Sequence, residues 1–334
     1  MISYHSLIVQ PVDGRIPVLN ALKAAKKSIG LTIYEISDPQ IMSALQAARA
    51  RGVAVRVLYD WYSFPADMQQ REITPAIQEL TKAGILCKQA PRTFEVTHEK
   101  AFVIDGATAL VMSFNLTSEY FGQTRDFGIV TTEKPEVTEI SNVFEADWND
   151  KPVTPQVASL VWSPVNSRSK LTSLISGSSN TLDIYCEEVD DPGTLGAMVE
   201  AAKRGVKVRF IAAVLSGEGK VNGNARGITY LQSGGVNAVC KSFLYIHAKM
   251  VLADFGKATA RAYIGSENFS CVSLDDNREC GIIVSESEIL ARLQSTYNSD
   301  WAQPSVAVTP DHTPINACQG DPASRAQARR AARA

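Results

Sequence analysis

The nine residues THEKAFVID at 97–105 return as IHAKMVLAD at 246–254, and this return decides how the rest of the chain is interpreted. Further segments repeat in the same order: LTIYEISDP at 31–39 with LDIYCEEVDDP at 182–192, and TRDFGIV at 124–130 with NRECGIIV at 277–284. A constant offset of 153 residues separates Ser113 from Ser266, Asp126 from Glu279, and Trp148 from Trp301. Chance motifs do not keep one register over so long a stretch, so the chain is a tandem duplication of a unit of about 150 residues.

The duplication sets the predicted domain boundaries. Residues 1–150 form the first repeat, 151–305 the second repeat and 306–334 a C-terminal tail, with the Pro-containing stretch 149–164 as the linker. Within each copy, helical apolar periodicity alternates with short apolar runs typical of buried strands. This alternation predicts an α/β fold with substantial parallel pairing, to which the closely spaced last strands of each repeat add antiparallel pairs.

The overall composition is that of an ordinary globular protein. Of the 334 residues, 45% are apolar and 20% are charged, and the net charge is −2, which disfavours a broad surface for long polyanions. No apolar run reaches the about 20 residues that a membrane-spanning helix needs, and the start lacks a basic segment followed by an apolar one. We expect a soluble protein, secreted or periplasmic if a signal peptide has been removed and otherwise cytoplasmic.

The six cysteines form no CxxC pair, and with four histidines they show no familiar zinc spacing. This pattern favours small buried apolar side chains over disulfide bonds.

The chemistry of the chain is concentrated in one set of polar residues that occurs in both repeats. Alternation along a strand projects the histidine and the lysine of each His-x-Lys from the same face. Serine and asparagine follow, and an acid comes eleven residues after each asparagine. The two sets are His98, Lys100, Ser113, Asn115 and Asp126, and His247, Lys249, Ser266, Asn268 and Glu279.

These residue types suit the cleavage of phosphodiesters. Lysine and asparagine donate hydrogen bonds to phosphate oxygens, and serine can orient a phosphate or its neighbours. One imidazole can attack phosphorus while the second protonates the departing oxygen. A carboxylate on the far nitrogen of each imidazole would hold its orientation, and we expect Asp126 to serve His98 and Glu279 to serve His247. We expect no metal, because each lysine would place a positive charge beside a bound cation, and no other cofactor.

The paired HxKxxxxD and GSxN motifs resemble those of the phospholipase D superfamily, and the resemblance extends from about residue 6 to residue 302. It implies two similar α/β repeats packed face to face with one shared active site, a covalent phosphohistidine intermediate and no metal requirement. It further implies that His98 attacks while His247 acts as general acid and then base. Asp105 and Asp254 complete the motifs, and strand alternation places them away from the lysines in structural roles. Met112 stands where glycine is usual.

Four further residues are candidates for binding the substrate. Glu35 and Glu187 lie near strand ends, where the ligand crevice of an open α/β sheet is expected, although a role at the entry to the following helix is an equal alternative. Trp61 and Tyr62 follow the next strand, where they can contact an acyl chain or a base or simply pack within a loop.

We interpret the chain as a metal-independent phosphodiesterase or phosphatidyltransferase acting on phospholipids, with transient contact to a membrane surface. The alternatives are a nuclease on the same scaffold, with nucleic acid as the substrate, and a noncatalytic phosphate- or membrane-binding module. The low net charge and the aromatic residues after the third strand favour lipid. Because the two repeats form an internal pseudo-dimer, we expect activity as a monomer.

Overall fold

A computed structural model describes residues 4–60, 74–215 and 222–318. The elements of the first repeat are β1 His5–Gln10, α1 Ile16–Ala24, β2 Ser28–Ile33, α2 Pro39–Ala50, β3 Ala54–Tyr59, α3 Thr74–Lys82, β4 Leu86–Gln89, β5 Ala101–Ile104, β6 Thr108–Met112, a 3₁₀ turn Ser118–Phe121, β7 Thr124–Thr131 and α4 Lys134–Trp148. Those of the second repeat are β8 Leu160–Ser163, α5 Ser167–Ser176, β9 Thr181–Cys186, α6 Pro192–Lys203, β10 Lys207–Ala212, α7 Ala225–Ser233, β11 Asn237–Cys240, β12 Tyr245–Ile246, β13 Lys249–Ala253, β14 Arg261–Gly265, α8 Cys271–Asp275, β15 Glu279–Val284 and α9 Ser287–Trp301.

Each repeat builds one mixed sheet, and the two sheets have the same topology. The strand order is β4-β3-β2-β5-β6-β7-β1 in the first and β11-β10-β9-β13-β14-β15-β8 in the second. The first three strands of each order pair in parallel, and the remaining ones pair antiparallel. The prediction of a duplicated α/β unit is therefore confirmed.

Within the described ranges, three large apolar layers hold the sheets and helices together. One lies between the first sheet and its outer helices, and another occupies the equivalent place in the second repeat. The middle layer joins the repeats: it contains strand residues of both sheets together with apolar residues of α4 and α9. Its fully buried members include Trp162, Tyr185 and Tyr297. The repeats therefore pack face to face over a common core, as predicted.

Two buried ion pairs cross between the repeats at equivalent positions. Arg125 of β7 binds Asp300 at the end of α9, with Nε 2.6 Å from Oδ2. Arg278, which precedes β15, binds Asp147 at the end of α4, with Nε 2.8 Å from Oδ2. All four side chains are at most 8% exposed. Each repeat thus places its last helix against the acid-bearing strand of the other.

The backbones of the repeats also pair directly. Strand β12 runs parallel to the start of β7, with Tyr245 opposite Thr124 and Ile246 opposite Arg125. The equivalent contact in the other direction is a bridge between Thr97 and Arg278. The segment leading into each His-x-Lys therefore lies beside the strand that carries the acid of the other repeat.

The cysteine expectation was wrong for one pair. Cys271 at the start of α8 forms a disulfide with Cys318, while Cys87, Cys186, Cys240 and Cys280 are free thiols. Distance in sequence concealed the pair because the chain after α9 returns across the second repeat. Val306 pairs there with Cys240, and Ile315 packs on the core. Within the described residues, no helix combines the length and the apolar character needed to cross a membrane.

We expect the buried cross-repeat ion pair to contribute far more stability than an exposed one. Arg125→Met leaves the carboxylate of Asp300 buried without its cation, which costs about 3–5 kcal/mol of unfolding free energy. Arg292→Met is the matched control, since Arg292 also joins the repeats through Asp13 but is 41% exposed; its loss costs at most about 1 kcal/mol. Urea unfolding of both variants measures the difference, and equal losses would contradict this account.

Candidate active site

The two His-x-Lys motifs meet where the repeats exchange their strands, and each imidazole binds the acid of the opposite repeat. His98 Nδ1 lies 2.8 Å from Glu279 Oε2, and His247 Nδ1 lies 2.9 Å from Asp126 Oδ1. The expectation that Asp126 serves His98 and Glu279 serves His247 was therefore wrong. Both acids contact a histidine, but the partners are exchanged between the repeats.

The exchanged partners follow from the backbone pairing between the repeats. The amide of His98 donates to the carbonyl of Arg278 at 2.9 Å, and the amide of His247 donates to the carbonyl of Arg125 at 3.2 Å. Each arginine directly precedes an acid, so each histidine is registered beside the carboxylate of the other repeat. Spacing along one repeat cannot show this, because the contact forms only when the two copies pack.

Polar side chains of its own repeat donate hydrogen bonds to each of the two carboxylates, Asp126 and Glu279. Ser113 Oγ and Thr124 Oγ1 each donate to Asp126 at 2.6 Å. Glu279 accepts from Ser273 Oγ at 2.6 Å and from Asn277 Nδ2 at 3.0 Å. Thr124, Ser273 and Asn277 were not among the predicted site residues. Thr124 and Asn277 each lie two residues before an acid, and this spacing, repeated in both copies, was the signal available.

The histidine contacts fix the tautomer of His98. The pKa of Glu279 is lowered because His98 and Lys100 outweigh its burial, so its carboxylate is ionised and can only accept. The proton of His98 therefore lies on Nδ1, and Nε2 keeps its lone pair. Burial and the neighbouring charge of Lys100 lower the pKa of His98 to about 4, although Glu279 opposes this shift. His98 is a neutral imidazole at neutral pH.

The two lysines are fully buried but differ in their surroundings. Each Nζ donates to the carbonyl of the histidine two residues earlier, at 2.7 Å. Lys249 also pairs with Glu187 at 2.7 Å, and this carboxylate raises the pKa of Lys249 against the effect of burial. Burial and the charge of Lys249 instead lower the pKa of Lys100 to about 7. The cationic charge is thus better compensated on the His247 side.

The asparagines face the site, whereas the serines lie behind it. Asn268 Oδ1 accepts from the amide of Glu188 at 3.2 Å, which turns its Nδ2 towards Glu187. Asn115 is also buried and interacts with the hydroxyl of Tyr120, whose ring lies 4.8 Å from that of His247. Ser266 bonds to the backbone of Cys280, and Ser113 bonds in the same way to the backbone of Phe127. Ser113 differs in that its hydroxyl also donates to Asp126.

The predicted substrate-binding residues have different outcomes. Glu187 lies inside the site, and the half-buried Glu35 follows β2 close enough for its charge to act on Lys100. Trp61 and Tyr62 lie outside the described residues. Asp105 and Asp254 are at the far ends of their strands, where they accept backbone amides, Asp105 from 26–28 and Asp254 from 179–181. This agrees with the structural role expected for both.

We expect His98 to remain neutral throughout the physiological pH range. Because its pKa is lowered, protonation sets in only near pH 4, and the Nδ1–H tautomer should dominate above that pH. Nitrogen-15 NMR of the ring nitrogens tests this, with His98→Ala identifying the resonances. Glu279→Gln removes the carboxylate that favours the imidazolium and should lower the pKa further. A His98 titration near pH 6.5 would contradict the proposed environment.

Comparison with known proteins also finds the duplication. A family model described as cardiolipin synthase, PLD-like domain, matches residues 18–148 and again residues 171–301, one match in each repeat. The chain is also similar to cardiolipin synthase B of Shigella flexneri, with 27% identity over 298 residues, which cover 78% of this chain and 70% of the relative.

Solved structures share the fold. A polyphosphate kinase from Porphyromonas gingivalis superimposes with a TM-score of 0.70 at 16% identity, covering 98% of this chain and 55% of its own. The phosphatidylserine synthase of Haemophilus influenzae Rd KW20 superimposes with a TM-score of 0.67 at 14% identity, covering 91% of this chain and 87% of its own. Since the family model matches both repeats over most of their length, the chain belongs to the PLD-like domain family of cardiolipin synthase.

Proposed function

We propose that this phospholipase D-type enzyme transfers phosphatidyl groups: it cleaves a phospholipid at the phosphodiester, holds the phosphatidyl group on His98, and passes it to an alcohol or to water. The observation that carries this proposal is the pair of imidazoles, each held at Nδ1 by a buried carboxylate of the opposite repeat. Such a pair supplies both a nucleophile and a proton donor without a metal ion.

The surroundings of the histidines support the division of roles. His98 is neutral and has its Nε2 lone pair available, which suits attack on phosphorus. His247 lies between two carboxylates, with Asp126 at Nδ1 and Glu187 Oε2 3.6 Å from Nε2. A carboxylate thus lies near each ring nitrogen of His247, and both ring nitrogens carry a proton in the form that a general acid needs. We therefore assign nucleophilic attack to His98 and proton transfer to His247.

The cycle then has two balanced steps. In the first, Nε2 of His98 bonds to phosphorus as the bond to the leaving alcohol breaks, and His247 gives its proton to the departing oxygen. In the second, neutral His247 takes the proton of the acceptor alcohol or water, whose oxygen displaces the phosphatidyl group from His98. Both histidines return to their starting states.

Buried donors stabilise the charge that develops on the phosphate. Lys100 and Lys249 are fully buried, and Asn115 and Asn268 are close to fully buried. Donors fixed in a water-poor site need little reorganisation during the reaction, so they stabilise the transition state strongly. The hydroxyl of Ser113 acts indirectly, since it orients Asp126 and through it His247.

The choice of phospholipid rests on the relatives together with the charge. Cardiolipin synthase B is named for the synthesis of a phospholipid, and it matches this chain across both repeats. The net charge of −2 is unfavourable for tracking a long polyanion.

The first expected result locates the covalent adduct. A phospholipid analogue with an activated leaving group needs little protonation, so His247→Ala should still form an adduct on His98, whereas His98→Ala should form none. Acid quenching followed by peptide mass spectrometry identifies the modified residue. Phosphorylation of His247 instead would reverse the assignment.

The crossed carboxylates extend that test. Asp126→Asn should resemble His247→Ala, with turnover of an ordinary phospholipid reduced about 10²-fold or more but adduct formation retained with the activated analogue. Glu279→Gln should instead slow adduct formation, because it removes the partner of His98. If Glu279→Gln instead resembles His247→Ala and Asp126→Asn slows adduct formation, the exchange of carboxylates between the repeats has no catalytic consequence.

The second expected result concerns substrate and metal. Purified protein in excess EDTA should release headgroups from a phospholipid panel and, with alcohol present, form the transferred product. Single- and double-stranded DNA under the same conditions should be cleaved more slowly. Rapid DNA cleavage without headgroup release would reject the lipid proposal, and loss of all activity in EDTA would reject the metal-independent mechanism.

A further inference from the structure

The carboxylate of Glu187 occupies a position that phosphate is expected to use. Its Oε2 lies 2.7 Å from Lys249 Nζ, 3.3 Å from Asn268 Nδ2 and 3.6 Å from His247 Nε2. These three groups are the lysine, asparagine and histidine that the second repeat contributes to the proposed reaction. One oxygen of Glu187 therefore binds the donors that a phosphate oxygen would contact.

Hydrogen bonds hold both carboxylate oxygens of Glu187 in place. Glu187 Oε1 accepts from the hydroxyl of Tyr245 at 2.5 Å, and the ring of Tyr245 stacks on that of His247 with centroids 6.3 Å apart. The pKa of Glu187 lies well below its ordinary value, because Lys249 and His247 outweigh its burial. Glu187 is thus an ionised group held at the donors rather than a side chain pointing to solvent.

The first repeat places a different residue at the equivalent position. Leu116 donates its amide to the carbonyl of Glu35, and Phe269 donates to that of Glu188, so Glu35 corresponds to Glu188. The residue before each is Tyr34 in the first repeat and Glu187 in the second. The Tyr34 ring lies 5.0 Å from that of His98, so an aromatic ring borders one histidine and an anion borders the other.

We propose that Glu187 determines specificity for charge, admitting the monoanionic phosphodiester and disfavouring dianionic phosphate groups such as phosphomonoesters and inorganic phosphate. This proposal rests on the proposed function in taking a phosphodiester as the substrate. Of the three protons on Lys249 Nζ, one goes to the carbonyl of His247 and one to Glu187, which leaves a third for the ligand. Carboxylate and ligand then share the ammonium at close range.

The discrimination follows from Coulomb's law. Repulsion between the Glu187 carboxylate and a bound anion scales with the charge of that anion, so a dianion suffers twice the repulsion of a monoanion at the same position. Hydrolysis of a phospholipid at this bond yields a phosphomonoester, which gains a second negative charge near neutral pH. The same carboxylate that tolerates the substrate therefore assists release of the hydrolysis product.

Equilibrium binding of two small probes tests this role. Glu187→Gln keeps the size of the side chain and removes its charge, and Glu200→Gln is the charge-matched control at an exposed position in the last turn of α6. At pH 8, calorimetry should show inorganic phosphate binding at least about tenfold more tightly to Glu187→Gln than to the native protein, and dimethyl phosphate at most about threefold more tightly. Glu200→Gln should change either affinity by less than about twofold.

The pH dependence adds an internal check, since the gain for phosphate should shrink at pH 5.5, where phosphate is a monoanion. Equal gains for both probes, or no gain for phosphate, would overturn the proposal. Glu187→Ser carries the same expectation and decides the matter if Glu187→Gln does not fold. Because these readouts are affinities, they report on Glu187 whether or not phospholipid is turned over, and failure of the lipid assay is a separate result.

Discussion

Hydrogen bonds between the backbones of the two repeats are the constraint on which the candidate active site depends. The amides of His98 and His247 donate to the carbonyls of Arg278 and Arg125, each the residue directly before a site carboxylate. Two strands held in this way cannot shift register without breaking a buried hydrogen bond, which is costly away from water. The pairing therefore positions both imidazoles against both carboxylates and makes one site out of two half-sites.

The shared apolar core and the buried ion pairs stabilise the same packing of the two repeats. Arg125 and Arg278 accept the histidine amides through their backbone carbonyls. Their side chains bind the carboxylate at the end of the other repeat's last helix, Arg125 with Asp300 and Arg278 with Asp147. One residue thus connects the active-site strand to the helix that packs in the shared core. Because the charges are buried, removal of one partner from either pair strongly destabilises the folded protein. Loss of the interface would also separate the two halves of the site.

The site is symmetric in its backbone but asymmetric in its charge. Both lysines are buried beside a histidine carbonyl, yet Lys249 is paired with Glu187 while the equivalent residue of the first repeat is Tyr34. Burial penalises a charge unless an opposite charge lies nearby, so the two lysines acquire different pKa values and the two histidines different environments. This difference between the halves supports the proposed division of nucleophilic attack and proton transfer between His98 and His247.

The sequence by itself determined the duplication, the α/β class and the chemical groups of the site, because a register kept over both copies and the His-x-Lys alternation are properties of the linear chain. Tertiary structure decided which groups meet. The exchange of Asp126 and Glu279 between the histidines and the disulfide between Cys271 and Cys318 both join residues that only packing brings close. Spacing along a chain predicts the face of a strand from which a side chain projects. Its partner across an interface depends on the register between the two surfaces, and this register is set only when their backbone hydrogen bonds form.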